Sequence, residues 1–163
     1  MSESDARGKQ ITAQVIVLGP GQGRKIPGPG GITLKATAQE TAGAVGFLEA
    51  TTASKYEAPP HIHHDCDELF YVLEGQFRFL VGERTVSAPA GTFVFIPRGT
   101  VHAAQNSGAE PGKVLAAYIP GGVEQSFEEF ARSPGQRNSV AEKTNSEFVS
   151  GPPKWFDEHH ADS

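Results

Sequence analysis

The sequence predicts an all-β domain, a sandwich or a barrel, and three observations carry that expectation. Short runs rich in β-branched and aromatic residues recur at close spacing, Gly and Pro separate nearly all of them, and 163 residues are enough for one hydrophobic core. The 19 glycines and 12 prolines exceed average usage and favour many turns over long helices. A domain of this length buries about two-thirds of the surface its unfolded chain exposes, so disulfides are not needed.

Taken in order, residues 1–10 are too polar to join a core and are read as a flexible tail. The domain proper spans 11–122. Strand character is found at 11–18, 32–38, 44–52, 69–73, 77–81, 85–88, 92–96, 101–106 and 114–119. Residues 19–31 (GPGQGRKIPGPGG) hold too much Gly and Pro for a regular element and are read as a loop, a candidate lid. Turns are expected at Pro59-Pro60, Gly75, Gly82, 89–91, 97–99 and 107–112. The last part, 123–163, changes character. Val123, Phe127 and Phe130 fall at helical spacing with Glu on the other face, which predicts an amphipathic helix over 123–132 packed on the outside of the barrel. A weaker helix is expected at 140–149. Gly151-Pro152-Pro153 ends it, and 155–163 reads as an exposed terminus or a partner contact.

Charge narrows the partners. The formal net charge is -5 and the basic residues are dispersed apart from Arg24-Lys25, which argues against nucleic acid and acidic membranes and leaves small molecules as the expected ligands. No apolar run has the length of a membrane span, and residues 1–10 lack the hydrophobic stretch of a secretory signal, so a cytoplasmic location is expected. The single Cys66 is compatible with a reducing compartment.

The chemistry concentrates in His61, His63, Glu68 and His102. Imidazole nitrogens and a carboxylate oxygen are what iron, manganese, cobalt, nickel, copper and zinc prefer, so one divalent transition metal is the expected cofactor. Strand side chains alternate faces, so His61 and His63 project to one side. Glu68 lies an odd interval beyond His63, and an uninterrupted strand would aim it the other way. The polar segment His64-Asp65-Cys66-Asp67 must therefore be a turn, with Glu68 opening the return strand and His64 outside the ligand set. His102 arrives from a separate segment and completes three nitrogens and one oxygen, which leaves positions open for substrate.

Residues 61–75 (HIHHDCDELFYVLEG) resemble the first cupin motif, with His61, His63, Glu68 and Gly75 in register. Residues 91–106 (GTFVFIPRGTVHAAQN) resemble the second, with Gly91, Pro97, Gly99, His102 and Asn106 at the family spacing. The resemblance covers about 40–120, with its motifs within 59–106. It implies a cupin jelly-roll β-barrel with a short C-terminal helical extension, the metal inside one mouth, and a homodimer formed through N-terminal strands or C-terminal helices. Among single-domain cupins the ligand set resembles the bacterial quercetinase-like dioxygenases, in which the glutamate matching Glu68 is both ligand and base. This implies cleavage of an enolic or catecholic small molecule by dioxygen, with Glu68 as the catalytic base. A non-oxidative isomerase, decarboxylase or cyclase would use the same groups without dioxygen, and a binding or sensing module would use them without turnover.

Other features have plainer readings. Inward parity from Glu68 gives Phe70 and Val72, and these with Phe79 and Phe95 are the candidates for an apolar substrate wall. Cys66 among aspartates makes a poor thiolate. Asn106, at a strand end, organises a turn. His159 and His160 are solvated. Residues 19–25 fail the phosphate-loop pattern, because Lys25 does not follow the last Gly and Ile26 stands where Ser or Thr would be needed.

Overall fold

A computed structural model describes residues 12–27 and 31–150, so the expectations for 1–10, 151–153 and 155–163, His159 and His160 included, lie outside the described residues. Among the described residues eleven strands form two antiparallel sheets. One holds β1 (Arg24–Lys25), β2 (Gly31–Ala36), β3 (Gly46–Thr52), β10 (Gly112–Ile119), β5 (Asp67–Glu74) and β8 (Phe93–Ile96), in that order. The other holds β11 (Ser146–Phe148), β4 (Glu57–His63), β9 (His102–Asn106), β6 (Gln76–Val81) and β7 (Arg84–Pro89).

Eight expected strands are found within a few residues of their places, because their alternation matches a sheet with one wet face. The expected strand at 11–18 is not. Among the described residues of that segment the chain pairs with no strand and makes one backbone hydrogen bond, Gln14 N–H to Glu40 O at 2.9 Å, and it leaves Val15 95% exposed and Val17 86% exposed. Strand composition does not make a strand where no edge is available. Pro59-Pro60 also departs from expectation, since both prolines lie within β4. The register of β4 against β9 shifts between Ala58 and His61, and residues without an N–H are tolerated at such an irregularity.

The C-terminal extension differs most. Val123–Gln125 is a 3₁₀ turn that runs into helix α1 (Ser126–Arg132), and α2 spans Arg137–Glu142. Phe127 and Phe130 line a cavity, so this segment caps the barrel mouth rather than its outside. The helix expected over 140–149 stops early. Asn145 takes a left-handed φ of 47°, and 146–148 then pair with β4 as β11, closing an otherwise bare edge.

Two buried clusters divide the interior. Val72, Phe77, Phe79, Ala88, Val94, Ile96 and Val114 fill one end. Leu34, Leu48, Ala116, Tyr118 and Val123, with Ile26 and Cys66, border the other. Glu124 is fully buried, accepting hydrogen bonds from the N–H groups of Ala38 (2.7 Å) and Gly122 (2.6 Å), and a Cβ at Gly46 would collide with its carboxylate. Asn106, also fully buried, donates to the carbonyls of Ala53 and Glu110 and accepts from Gly108 N–H, the turn-organising role its position suggested.

Candidate metal centre

His61 and His63 lie two residues apart on β4, Glu68 is the second residue of β5, and His102 opens β9. The connection His64 to Cys66 is a turn, so Glu68 faces inward as expected, and one nitrogen from each imidazole and one Glu68 oxygen lie within 4.8 Å of one another. His64 stands apart. Its ring is partly exposed and sits 3.6 Å from Glu147.

Two tethers hold the motif segments together. Gly99, at φ 76°, belongs to the turn before His102, and its N–H donates to His63 O at 2.8 Å. Arg98 grips Asp67, through its backbone N–H and Nε to Oδ1 at 3.0 Å each and through Nη2 to Oδ2 at 3.1 Å. This contact holds the Asp67 carboxyl below the usual carboxylate range. Asp67, read from sequence as a turn residue only, thus fixes the strand that starts with Glu68.

Each imidazole is oriented through its second nitrogen. His61 Nδ1 lies 2.8 Å from Pro59 O and His102 Nδ1 lies 2.9 Å from Thr100 O, and a carbonyl only accepts. His63 Nδ1 lies 2.7 Å from Ser146 Oγ, whose hydroxyl donates to Thr144 O at 3.2 Å and so accepts from the ring. With Nδ1 as donor, each Nε2 presents a lone pair, the tautomer a metal ligand requires.

These lone pairs converge on a carboxylate. Glu68 Oε2 lies 2.7 Å from His102 Nε2, 3.3 Å from His63 Nε2 and 4.0 Å from His61 Nε2, and the buried His63 Nε2 has no hydrogen-bond partner. A shared proton can join His102 to Glu68, but the unpartnered His63 Nε2 still faces the carboxylate oxygen, so the donor set fits a divalent ion. Burial pushes the Glu68 carboxyl up, but His102 and His63 outweigh it and hold Glu68 well below the usual carboxylate range. Burial, and next the neighbouring His102, lowers His61 to about 3 and keeps that ring neutral. His102 is lowered by burial and raised more strongly by Glu68, so its net shift is upward.

The cluster lies in the wall of a cavity of about 620 Å³ lined mostly by apolar side chains. Of the four wall candidates only Phe70 lines it. Phe70 also packs on Phe79, ring centroids 4.9 Å apart, and so separates the cavity from the closed core. Val72 and Phe79 are corrected to core residues, fully buried beyond that partition. Phe95 is corrected to an outward position, 48% exposed, because Val94 and Ile96 are the inward residues of β8. The cavity instead draws on Ile26, Leu48, Tyr118, Phe127, Phe130 and Phe148. Tyr118, opposite Glu68 in the β10–β5 register, packs edge-on against His63 at 5.6 Å. Burial, then the Glu68 charge, pushes its phenol well above the ordinary value. Sequence parity from Glu68 never reached β10 or β11, and so missed Tyr118, Ser146 and Phe148.

The jelly roll brings three imidazoles and a carboxylate together beside an interior cavity, a donor set that could hold one metal ion. Residues 49–118 match the cupin domain family. The chain is 34% identical over 94 residues to germin-like protein subfamily 2 member 2 of Arabidopsis thaliana, and 36% identical over 96 residues to the rhicadhesin receptor of Pisum sativum. These stretches cover 53% and 52% of this chain and 43% of each relative, so the chain spans less than half the length of the curated relatives it matches. Among solved structures, a predicted oxalate decarboxylase from Thermotoga maritima superposes with TM-score 0.54 at 21% identity, covering 60% of this chain and 86% of that one. An RmlC-like cupin from Shewanella frigidimarina gives 0.55 at 18%, covering 66% and 92%. Both share the fold.

Proposed function

We propose that this protein is a metal-dependent dioxygenase acting on an enolic or catecholic small molecule. The observation that supports it most is the junction of a three-nitrogen, one-carboxylate donor set with an apolar cavity large enough for a ring-sized substrate. His61, His63, Glu68 and His102 would hold the ion, which when bound supplies Lewis acidity that lowers the pKa of a substrate hydroxyl. The chain's own groups do the rest. Glu68, kept ionised by its imidazole neighbours, is placed to take the hydroxyl proton. Tyr118, buried opposite Glu68, keeps its proton. Phe70, Phe127 and Phe130 exclude water, so the electron-rich enolate meets dioxygen in a dry site.

Oxygen uptake by the metal-loaded protein with flavonols, catechols and 1,3-diketones tests this, and no uptake with any of them overturns it. In Glu68→Gln the rate should fall about a hundredfold or more if Glu68 is the base. A second reading is a non-oxidative isomerase, decarboxylase or cyclase. A single carboxylate beside the site can move a proton either way, and one fold relative is described as a predicted oxalate decarboxylase. Turnover that persists without oxygen would decide for that reading.

The working unit is proposed to be a homodimer. Residues 12–18 have strand composition and exposed Val15 and Val17, yet find no strand partner among the described residues, and a second copy offers an edge. The outer face adds Tyr71, Phe93 and Phe95, on β5 and the outermost strand β8. Light scattering on the wild type and on Val15→Asp/Val17→Asp tests this, with a wild-type monomer as the contrary result. No helix among the described residues is long and apolar enough to cross a membrane. The buried free thiol of Cys66 supports a cytoplasmic location, to be checked by cell fractionation.

A further inference from the structure

Arg137, the first residue of α2, borders the cavity, and among the described lining residues it is the one Lys or Arg. Its guanidinium lies over two aromatic rings, 4.9 Å from the Phe148 centroid and 6.0 Å from that of Phe130. Phe148 in turn lies 6.0 Å from the His61 ring, so a single aromatic side chain separates the cation from the metal cluster. Arg24 and Arg132 pair with Glu128, and Arg98 pairs with Asp67, but Arg137 has no carboxylate partner among the described residues. A guanidinium over aromatic faces has N–H groups that the rings do not saturate, and its planar fork matches a carboxylate bidentately.

The walls between the two polar ends are mostly apolar, with Thr144, Ser146 and Glu147 the polar residues nearest Phe148 in sequence. Phe127, Phe130 and Phe148 form a connected aromatic series, with centroids 6.1 Å apart for Phe127 and Phe130 and 6.2 Å apart for Phe130 and Phe148. A ligand that satisfies the whole cavity therefore needs a chelating head at the His/Glu cluster, a flat apolar middle and an anionic end. We propose that Arg137 is the anion-recognising residue of the cavity and that the substrate is an amphipathic carboxylate whose enol or catechol head and carboxylate are separated by an apolar segment. This rests on the function proposed above and narrows its substrate class.

The test uses a matched pair of probes, caffeate and its methyl ester, which share the catechol head and apolar middle and differ in the charged end. Binding to the full-length, metal-loaded protein is measured by calorimetry, beside Arg137→Gln and Arg137→Lys, with thermal melts to confirm folding. Wild type should bind caffeate about tenfold or more tightly than the ester, the worth of a charge-assisted hydrogen bond. Arg137→Gln should abolish that preference while leaving ester affinity within about twofold, and Arg137→Lys should restore part of it as a point charge. Equal weakening of both probes in Arg137→Gln would mean that Arg137 only packs against the aromatic wall, and would overturn the proposal. So would an unchanged preference, or no binding of either probe. Arg137-dependent binding of caffeate by a protein that takes up oxygen with no flavonol, catechol or 1,3-diketone would leave this inference standing and remove the dioxygenase reading.

Discussion

The two ends of the barrel are built from the same alternating strands and do opposite things. At the closed end Val72, Phe77, Phe79 and Val94 are buried in one apolar cluster, whereas at the open end Glu68, on the same face of β5 as Val72, meets three imidazoles beside a cavity of about 620 Å³. Phe70 stands between them. The contrast teaches that strand parity sets which side chains point inward, while depth along the barrel sets whether an inward residue becomes packing or chemistry.

The largest effect that separates the two ends should come from the ligands. His102→Ala should remove nearly all bound metal, measured by mass spectrometry of the purified protein, while His64→Ala should leave metal content close to wild type because His64 lies outside the cluster. Equal loss in both would place the metal elsewhere. The opposite pattern is expected from the closed end, where Phe79→Ala should cost about 3–5 kcal/mol in chemical denaturation. Its folded fraction should still bind metal, and metal loss at full folding would show that the ends are not separable.

Smaller changes sharpen the boundary. Ser146→Ala removes the acceptor of His63 Nδ1–H and should weaken metal affinity about 10- to 100-fold by competitive chelator titration, with little change in melting temperature. An unaltered affinity would mean that packing alone orients His63. The smallest effect concerns Cys66, whose thiol is pushed up to about 12 from an ordinary 9.0, first by burial and then by Glu68 and Asp67. Because the folded value is the higher one, the stability this thiol contributes is complete below pH 9 and is lost as pH rises toward 12. Alkylation at pH 8 should therefore be slow in the native protein and rapid in denaturant, and rapid native labelling would show that the turn opens.

How far the sequence could be read follows from the range of the forces involved. Spacing is local, so the turn at His64 to Cys66, the inward Glu68 and the exclusion of His64 were all accessible from parity and composition. The fold class followed from punctuation by Gly and Pro. Phe95 failed because a four-residue strand shows two phases of alternation, and Phe93 and Phe95 took the one in which both aromatics face outward. Ser146, Tyr118 and Arg137 depend on tertiary neighbours that no local period encodes: a hydroxyl 83 residues from its imidazole, a strand partner across the sheet, and a helix over the mouth. The segment 11–18 misled for a related reason, since propensity describes a strand's surface and not whether an edge awaits it.

Ser146 also bears on how the molecule comes into being. His61, His63, Glu68 and His102 are all synthesised before residue 110, yet the group that orients His63 belongs to a strand made some forty residues later. A nascent chain halted before that strand has every donor atom but lacks the support that sets the His63 tautomer. Excision of residues 49–118 as a minimal module would reproduce that unfinished state. Anyone grafting this site onto another scaffold must carry β11 with it.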